Sequence, residues 1–241
     1  MNTFLVLACL AILCGAMPEV AAVPEILIPG EYHGNEVHAV SGKGWLGLFG
    51  PDAGGTAVAQ VELHVDTVLD ALLDENGPPT GKRVGSSVGP AVLLMKDVPH
   101  VEPGPVRMIA ADVLLVPNEP VSLALDAPNP VFLELACVAP KSSRGTQQST
   151  CKLVLRAGAE GKAQVLRKYE AYYNDGTFGG VGNDAPVRVI WAGDLDGDAR
   201  LDLLLDLTDH YNVARPTLFL STAAEGDSLV AAVAEHQSTG C

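Results

Sequence analysis

Along residues 59–66 apolar and polar positions alternate without a break: Ala59, Val61, Leu63 and Val65 against Gln60, Glu62, His64 and Asp66. A period of two sends successive side chains to opposite faces of a sheet, so this stretch predicts a strand with one face on a core. Its continuation, Val68, Leu69, Leu72 and Leu73, changes to helical spacing and predicts one or two helical turns before the breaker Asn76-Gly77-Pro78-Pro79. Apolar or alternating runs at 37–40, 45–49, 91–95, 113–116, 121–125, 131–138, 152–156 and 163–169 predict further strands. They recur about every 8–12 residues between Pro, Gly and Asn clusters, as in a sandwich or barrel. Pro103, Pro105, Pro117, Pro120, Pro128 and Pro130 bracket short runs and belong at strand ends or edges, where a missing N–H does no harm. Two more strands, 187–191 and 201–207, flank an acidic loop. No segment repeats at a period of 20–50 residues, which argues against a propeller or solenoid. The pattern predicts a mainly β fold. A β-sandwich-like body spans 23–170, and a C-terminal β-hairpin region spans 171–241, separate from the body or sharing its core.

Composition narrows the class. Of 241 residues, 48% are hydrophobic and 18% charged, which supplies a core and excludes a disordered chain. Fifteen basic against 29 acidic residues leave a net charge of −14, which repels phosphate backbones and anionic lipid and disfavours nucleic acid and membrane surfaces as partners. Residues 171–241 carry nine Asp, two Glu and three Arg without a Lys, more than half of the net charge in under a third of the chain. A boundary is expected near the turn signal Asn174-Asp175-Gly176.

The first 22 residues predict a secretory signal. Residues 3–13 are uncharged and apolar, and the small residues Cys14-Gly15-Ala16 and Val20-Ala21-Ala22 offer cleavage after Ala16 or Ala22. The run is too short to span a bilayer, and Pro18 and Glu19 stop it. The alternative is an uncleaved apolar N-terminus. With cleavage, the protein is expected to be secreted or periplasmic and not membrane-inserted. That leaves Cys137, Cys151 and Cys241, an odd number in an oxidising compartment. Cys137 closes one apolar run and Cys151 opens the next, as in a bridged hairpin, and a bridge there contributes ~3 kcal/mol in the chain-entropy model. Cys241 as a partner for either, and three free thiols, are the alternatives.

The chemistry concentrates in one loop, where Asp194, Asp196, Asp198 and Asp202 alternate with Leu195, Gly197 and Ala199-Arg200-Leu201. Four carboxylates so close in sequence converge only if the chain curls about a point, with Gly197 at the curl, and their repulsion calls for a cation. Calcium suits such a site, taking 6–8 oxygens in loose geometry, with the main-chain carbonyl of Arg200 as a further ligand. Magnesium would keep its waters. The twelfth position is Leu205 where an EF-hand has glutamate, and the flanks read as strands. The alternative is an acidic surface turn without metal.

At these residues the chain resembles the FG-GAP/VCBS class of calcium-binding β-repeats, also found in integrin α-chain propellers, with the signature Asp-x-Asp-Gly-Asp-Gly-x-x-Asp between two strands. The match covers Asp194, Asp196, Gly197, Asp198 and Asp202, with Leu203–Leu205 as the following strand and Phe178-Gly179 and Thr217–Leu220 as outer parts. Ala199 stands where the class has its second glycine, the Gly-Ala-Pro element is absent, and there is one copy where a propeller needs several. The resemblance implies a calcium loop holding a strand pair together, as single-copy loops do in secreted bacterial proteins, and adds no enzyme activity.

Other constellations are weaker. Gly85-Ser86-Ser87-Val88-Gly89 matches Gly-x-Ser-x-Gly, with Asp209 and His210 downstream in hydrolase order. The polar residues before it and the β surroundings lack the buried strand and helix of a nucleophile elbow, and adjacent Asp209 and His210 point to opposite faces of a strand. His33, His38, His64, His100, His210 and His236 show no paired spacing. Tyr169, Tyr172, Tyr173 and Trp191 are core aromatics or a sugar-stacking platform. The sequence predicts a secreted β protein with one structural calcium loop and no catalysis. A module binding surface polysaccharide or a partner protein is the alternative, and a serine hydrolase using Ser87 a third.

Overall fold

The computed structural model describes residues 22–51, 55–125, 130–140, 145–182 and 184–239. The expected signal segment before Ala22, and Cys241, lie outside them. Among the described residues no helix is long and apolar enough to cross a membrane, and the regular structure is all strand.

Three antiparallel sheets carry the fold. The first runs β1 (Glu25–Leu27), β6 (Leu93–Lys96), β3 (Gly42–Phe49), β4 (Ala57–Val68), β5 (Gly81–Ser86) and β2 (Gly30–Tyr32), with β7 (Gly104–Pro105) against β4. The second runs β13 (Thr177–Val181), β12 (Ala163–Asn174), β11 (Thr146–Ala157), β10 (Val131–Cys137) and β9 (Val121–Leu123). The third runs β18 (Ala231–Glu235), β17 (Pro216–Leu220), β15 (Asp202–Asp206), β14 (Arg188–Asp194) and β8 (Arg107–Leu114). A small pair joins β16 (Val213–Ala214) to β19 (Ser238–Thr239).

The third sheet is the middle layer, and its sequence says why. Strands buried on both faces read as continuous apolar runs, because neither side meets water. Leu203-Leu204-Leu205 and Leu218-Phe219-Leu220 are such runs, all buried. The period of two then divides them. Leu203, Leu205 and Phe219 pack with Leu133, Leu153 and Leu155 of the second sheet. Leu204, Leu218 and Leu220 pack with Leu48, Val58 and Leu93 of the first. Each such side chain contributes about 1.5–3 kcal/mol on burial. The far face of the first sheet has its own core around Trp45, Leu63 and Val84.

Several local expectations change. β4 runs on to Val68, and the helical spacing after it gives one α-type turn at 71–73, closed by the Asp74 N–H on the Asp70 carbonyl at 2.9 Å, and no helix. Residues 37–40 form no strand, although Val37 is buried. The polar stretches 81–86 and 146–150, outside the predicted strands, are strand. The signal at Asn174-Asp175-Gly176 is the turn of the β12–β13 hairpin, with Asp175 and Gly176 both at positive φ. The boundary expected near residue 170 therefore lies inside the second sheet. Since β8 of the expected body forms the edge of the C-terminal sheet, the two regions share cores. Cys137 and Cys151, directly opposite across β10 and β11, form a disulfide with their Cα atoms 4.0 Å apart.

Candidate metal centre

The acidic loop joins β14 to β15 at one end of the middle layer, so rigid strands fix both of its ends. Close packing sets the entry. A Cβ at Gly193 would stand 2.1 Å from the Arg107 carbonyl oxygen and 2.7 Å from the Trp191 ring, so only glycine lets β8 approach β14 there. The exit is Asp202, fully buried, with Leu195 and Leu201 buried beside the loop.

Between these ends the carboxylates bind the loop's own backbone. Asp194 accepts the N–H groups of Gly197 and Ala199 at 2.8 and 3.0 Å, and Asp196 accepts that of Asp198 at 3.3 Å. The chain is curled by left-handed residues at Gly197 (φ 81°) and Ala199 (φ 61°). Ala199 thus adopts the conformation that suits the glycine of the resembled signature, at a cost of roughly 1–2 kcal/mol for a residue with a Cβ. Asp202 accepts the Leu195 N–H at 2.7 Å on one oxygen and the Ser221 N–H at 2.8 Å on the other.

One oxygen each from Asp194, Asp196 and Asp202 lies within 4.8 Å of the others. That separation spans a cation whose oxygen ligands stand 2.3–2.6 Å away. Asp198 is not in this group. It accepts the Ser221 hydroxyl at 2.7 Å and the Arg200 N–H at 2.8 Å, with the Arg200 guanidinium 3.9 Å off. Burial, foremost, pushes the Asp202 carboxyl up to about 7, opposed by its two N–H donors and reinforced by the charges of Asp196 and Asp198. The group can hold a metal ion: its donors are hard oxygens, and a cation supplies the charge that burial withholds.

Ser221 and Thr222 were not anticipated. The Ser221 hydroxyl and N–H and the Thr222 hydroxyl bind Asp198, Asp202 and Asp196, clamping the loop to the end of β17. The one signal in the sequence is two hydroxyl residues directly after the apolar run 216–220.

The other candidates fall apart in space. Ser87 follows β5, an antiparallel strand, and its hydroxyl accepts the Glu62 N–H at 3.0 Å. Asp209 holds Arg167 at 2.9 Å and Arg215 at 3.5 Å, while the His210 ring lies against Tyr211. No hydrogen bond among the described residues links the three. Trp191 and Tyr169 are buried, Tyr173 packs edge-on against Phe178, and Tyr172 shows its ring to solvent. Comparison with protein-family models, with curated proteins and with solved structures gives no match for this chain.

Proposed function

We propose that the Asp194–Asp202 loop binds one calcium ion, and that the ion serves as a structural element of a secreted or periplasmic, non-catalytic β protein. The observation that carries this is the convergence of Asp194, Asp196 and Asp202 on one point. In this proposal Asp198 and the carbonyl of Arg200 complete the ligand set. The loose loop geometry, set by backbone N–H groups and not by a rigid cage, favours calcium over magnesium, which demands near-octahedral placement. The Asp-x-Asp-Gly-Asp spacing shared with the FG-GAP/VCBS class supports the same ion. The disulfide and the apolar N-terminal segment support an oxidising compartment outside the cytoplasm.

The ion's work is electrostatic: it offsets carboxylate repulsion at the end of the β14–β15 hairpin and so steadies the layer on which both cores rest. The test is thermal unfolding in EDTA and then with added calcium or magnesium, beside titration calorimetry. Binding at a hundredfold excess over Kd contributes about 2.7 kcal/mol, which raises Tm by several degrees in a chain of this size. The expected result is such a rise with calcium, little with magnesium, and about one ion bound. No rise and no heat with calcium would overturn the proposal.

A further inference from the structure

The β11–β12 ribbon runs past the end of its neighbour β10. Beyond Cys137, residues 146–150 of β11 pair with β12 but no longer with β10. The disulfide pins the ribbon at that point, and Val138 continues the hold, its N–H donating to the Thr150 carbonyl at 3.1 Å while its own carbonyl accepts the Ser149 hydroxyl. On the inner face Cys151, Tyr169 and Ala171 are buried. The period of two sends the alternate residues outward, and the register pairs them: Lys152 with Lys168, Thr150 with Glu170, Gln148 with Tyr172, Thr146 with Asn174. All eight are exposed.

Two features of this face are unlike an ordinary solvated sheet. Lysines directly opposite across an antiparallel pair repel each other. Here they stand so in a chain with only 15 basic against 29 acidic residues, and neither has an acid partner among the described residues. Two and four residues along each strand from the lysines, Thr150 and Glu170, then Gln148 and Tyr172, bound a groove of about 170 Å³ floored by Ser149 and Ala171. An exposed aromatic ring beside amide, hydroxyl and carboxylate groups matches a pyranose, which offers a C–H face for the ring and hydroxyls for the polar groups.

We propose that this ribbon face binds an acidic polysaccharide, with one sugar ring against Tyr172, hydroxyls on Gln148, Thr150 and Glu170, and the acid group of a sugar two or three units along the chain between Lys152 and Lys168. Cross-strand pairs recur every two residues, about 7 Å, so the lysine pair and the Tyr172 pair lie about 14 Å apart, the span of two to three sugar units along an extended chain. The molecule's net charge of −14 does not forbid this. Charges beyond about 8 Å are largely screened at physiological salt, so the local field is set by Lys152 and Lys168 against Glu170, a net positive charge, and the acidic remainder discourages polyanions elsewhere.

The test is affinity electrophoresis of the whole protein in gels carrying alginate, dextran sulfate or dextran, with Tyr172→Ala and Lys152→Gln/Lys168→Gln beside the parent. Circular dichroism checks that each variant is folded. Retardation by alginate, dextran sulfate or both, weakening with salt and absent with dextran, is expected, and the gel that retards tells carboxylate from sulfate recognition. Each variant should lose at least about tenfold in affinity. Retardation by neither anionic polymer, or retardation that survives Tyr172→Ala as well as the double lysine change, would overturn the proposal. So would equal binding to dextran.

Discussion

Within the acidic loop, neighbouring aspartates do different work. Asp202 is fully buried and holds two backbone N–H groups, one from Leu195 and one from Ser221. Leaving a buried donor unpaired costs about 1–3 kcal/mol, and a cavity adds to that. The raised pKa means that the ionised carboxyl is itself penalised at neutral pH without metal, so Asp202→Ala is expected to lower the unfolding free energy in EDTA by roughly 3 kcal/mol at about pH 4, where that penalty is absent, and by less at pH 7. Asp196 sits near the surface, and water can replace it at the Asp198 N–H and the Thr222 hydroxyl. Asp196→Ala should stay within about 0.5 kcal/mol of the parent in EDTA and lose the gain that calcium brings. Urea unfolding of both variants with and without calcium separates the roles. Equal losses in EDTA would show that the loop carboxylates act as one scaffold and that burial does not rank them.

At the level of strands, the loop's position depends on how tightly β8 closes on β14. Gly193 lies between the Arg107 carbonyl and the Trp191 ring, and neither is the loose end of a flexible side chain. Gly193→Ala is expected to force these strands apart, to cost several kcal/mol, and to weaken calcium binding by moving Asp194. Unfolding by urea with calorimetry on the same sample would check it, and an unchanged Cm would show that the strands part without cost. This contact was not legible in the sequence, because nothing in a glycine before an aspartate reveals a strand arriving with Arg107, 86 residues upstream. What was legible followed from local pattern. Residues 59–66 alternate because one face of β4 meets a core, and Cys137 and Cys151 bracket a hairpin whose register makes them opposite. The loop's carboxylates were legible too, since their spacing is itself the signal. Residues 81–86 and 146–150 escaped because their strand character is imposed by neighbours: β5 lies between β4 and β2, and the first half of β11 between β12 and solvent. The helical spacing at 68–73 gives a single α-type turn that goes no further. Leu69, Leu72 and Leu73 meet no surface that a helix could bury them against, and are about 60% exposed. The middle layer was half visible: the run 203–205 was plain as strand, whereas 217–220 entered only as an outer part of the resembled motif, and burial on both faces only shows once sheets lie on either side.

Across the whole molecule the two ends of the described chain meet. Glu36 accepts the N–H and hydroxyl of Thr239, its carbonyl accepts His236 Nε2–H at 2.9 Å, and the Tyr32 and His236 rings pack edge to face. Beside this clasp His33 Nδ1 stands 2.5 Å from a carboxylate oxygen of Asp70, which also caps the 70–74 turn through the N–H groups of Leu72 and Leu73. The hydrogen bond to Asp70, foremost, raises the His33 pKa above its ordinary value, with Glu36 adding to it, and the same bond lowers that of Asp70. The signs follow from linkage. A histidine whose pKa is higher folded than unfolded contributes stability that is fully present below about pH 6.5 and is lost as pH rises through the folded value. A carboxylate whose pKa is lower when folded contributes stability present above about pH 4 and lost as pH falls through its depressed value. The pair therefore holds the clasp most strongly between about pH 4 and 6.5. The difference in Tm between the parent and His33→Ala cancels the titration of the groups His33 does not touch, including the buried Asp202, while Asp70 titrates below the range measured. Measured by circular dichroism from pH 5 to 9, that difference is expected to be largest at the acid end and to shrink steadily above neutrality. A difference that stays constant over the range would mean that His33 acts through packing and a neutral hydrogen bond, with no charge on the ring. A difference that grows with pH would reverse the sign and rule out the ion pair as the fastening of the clasp.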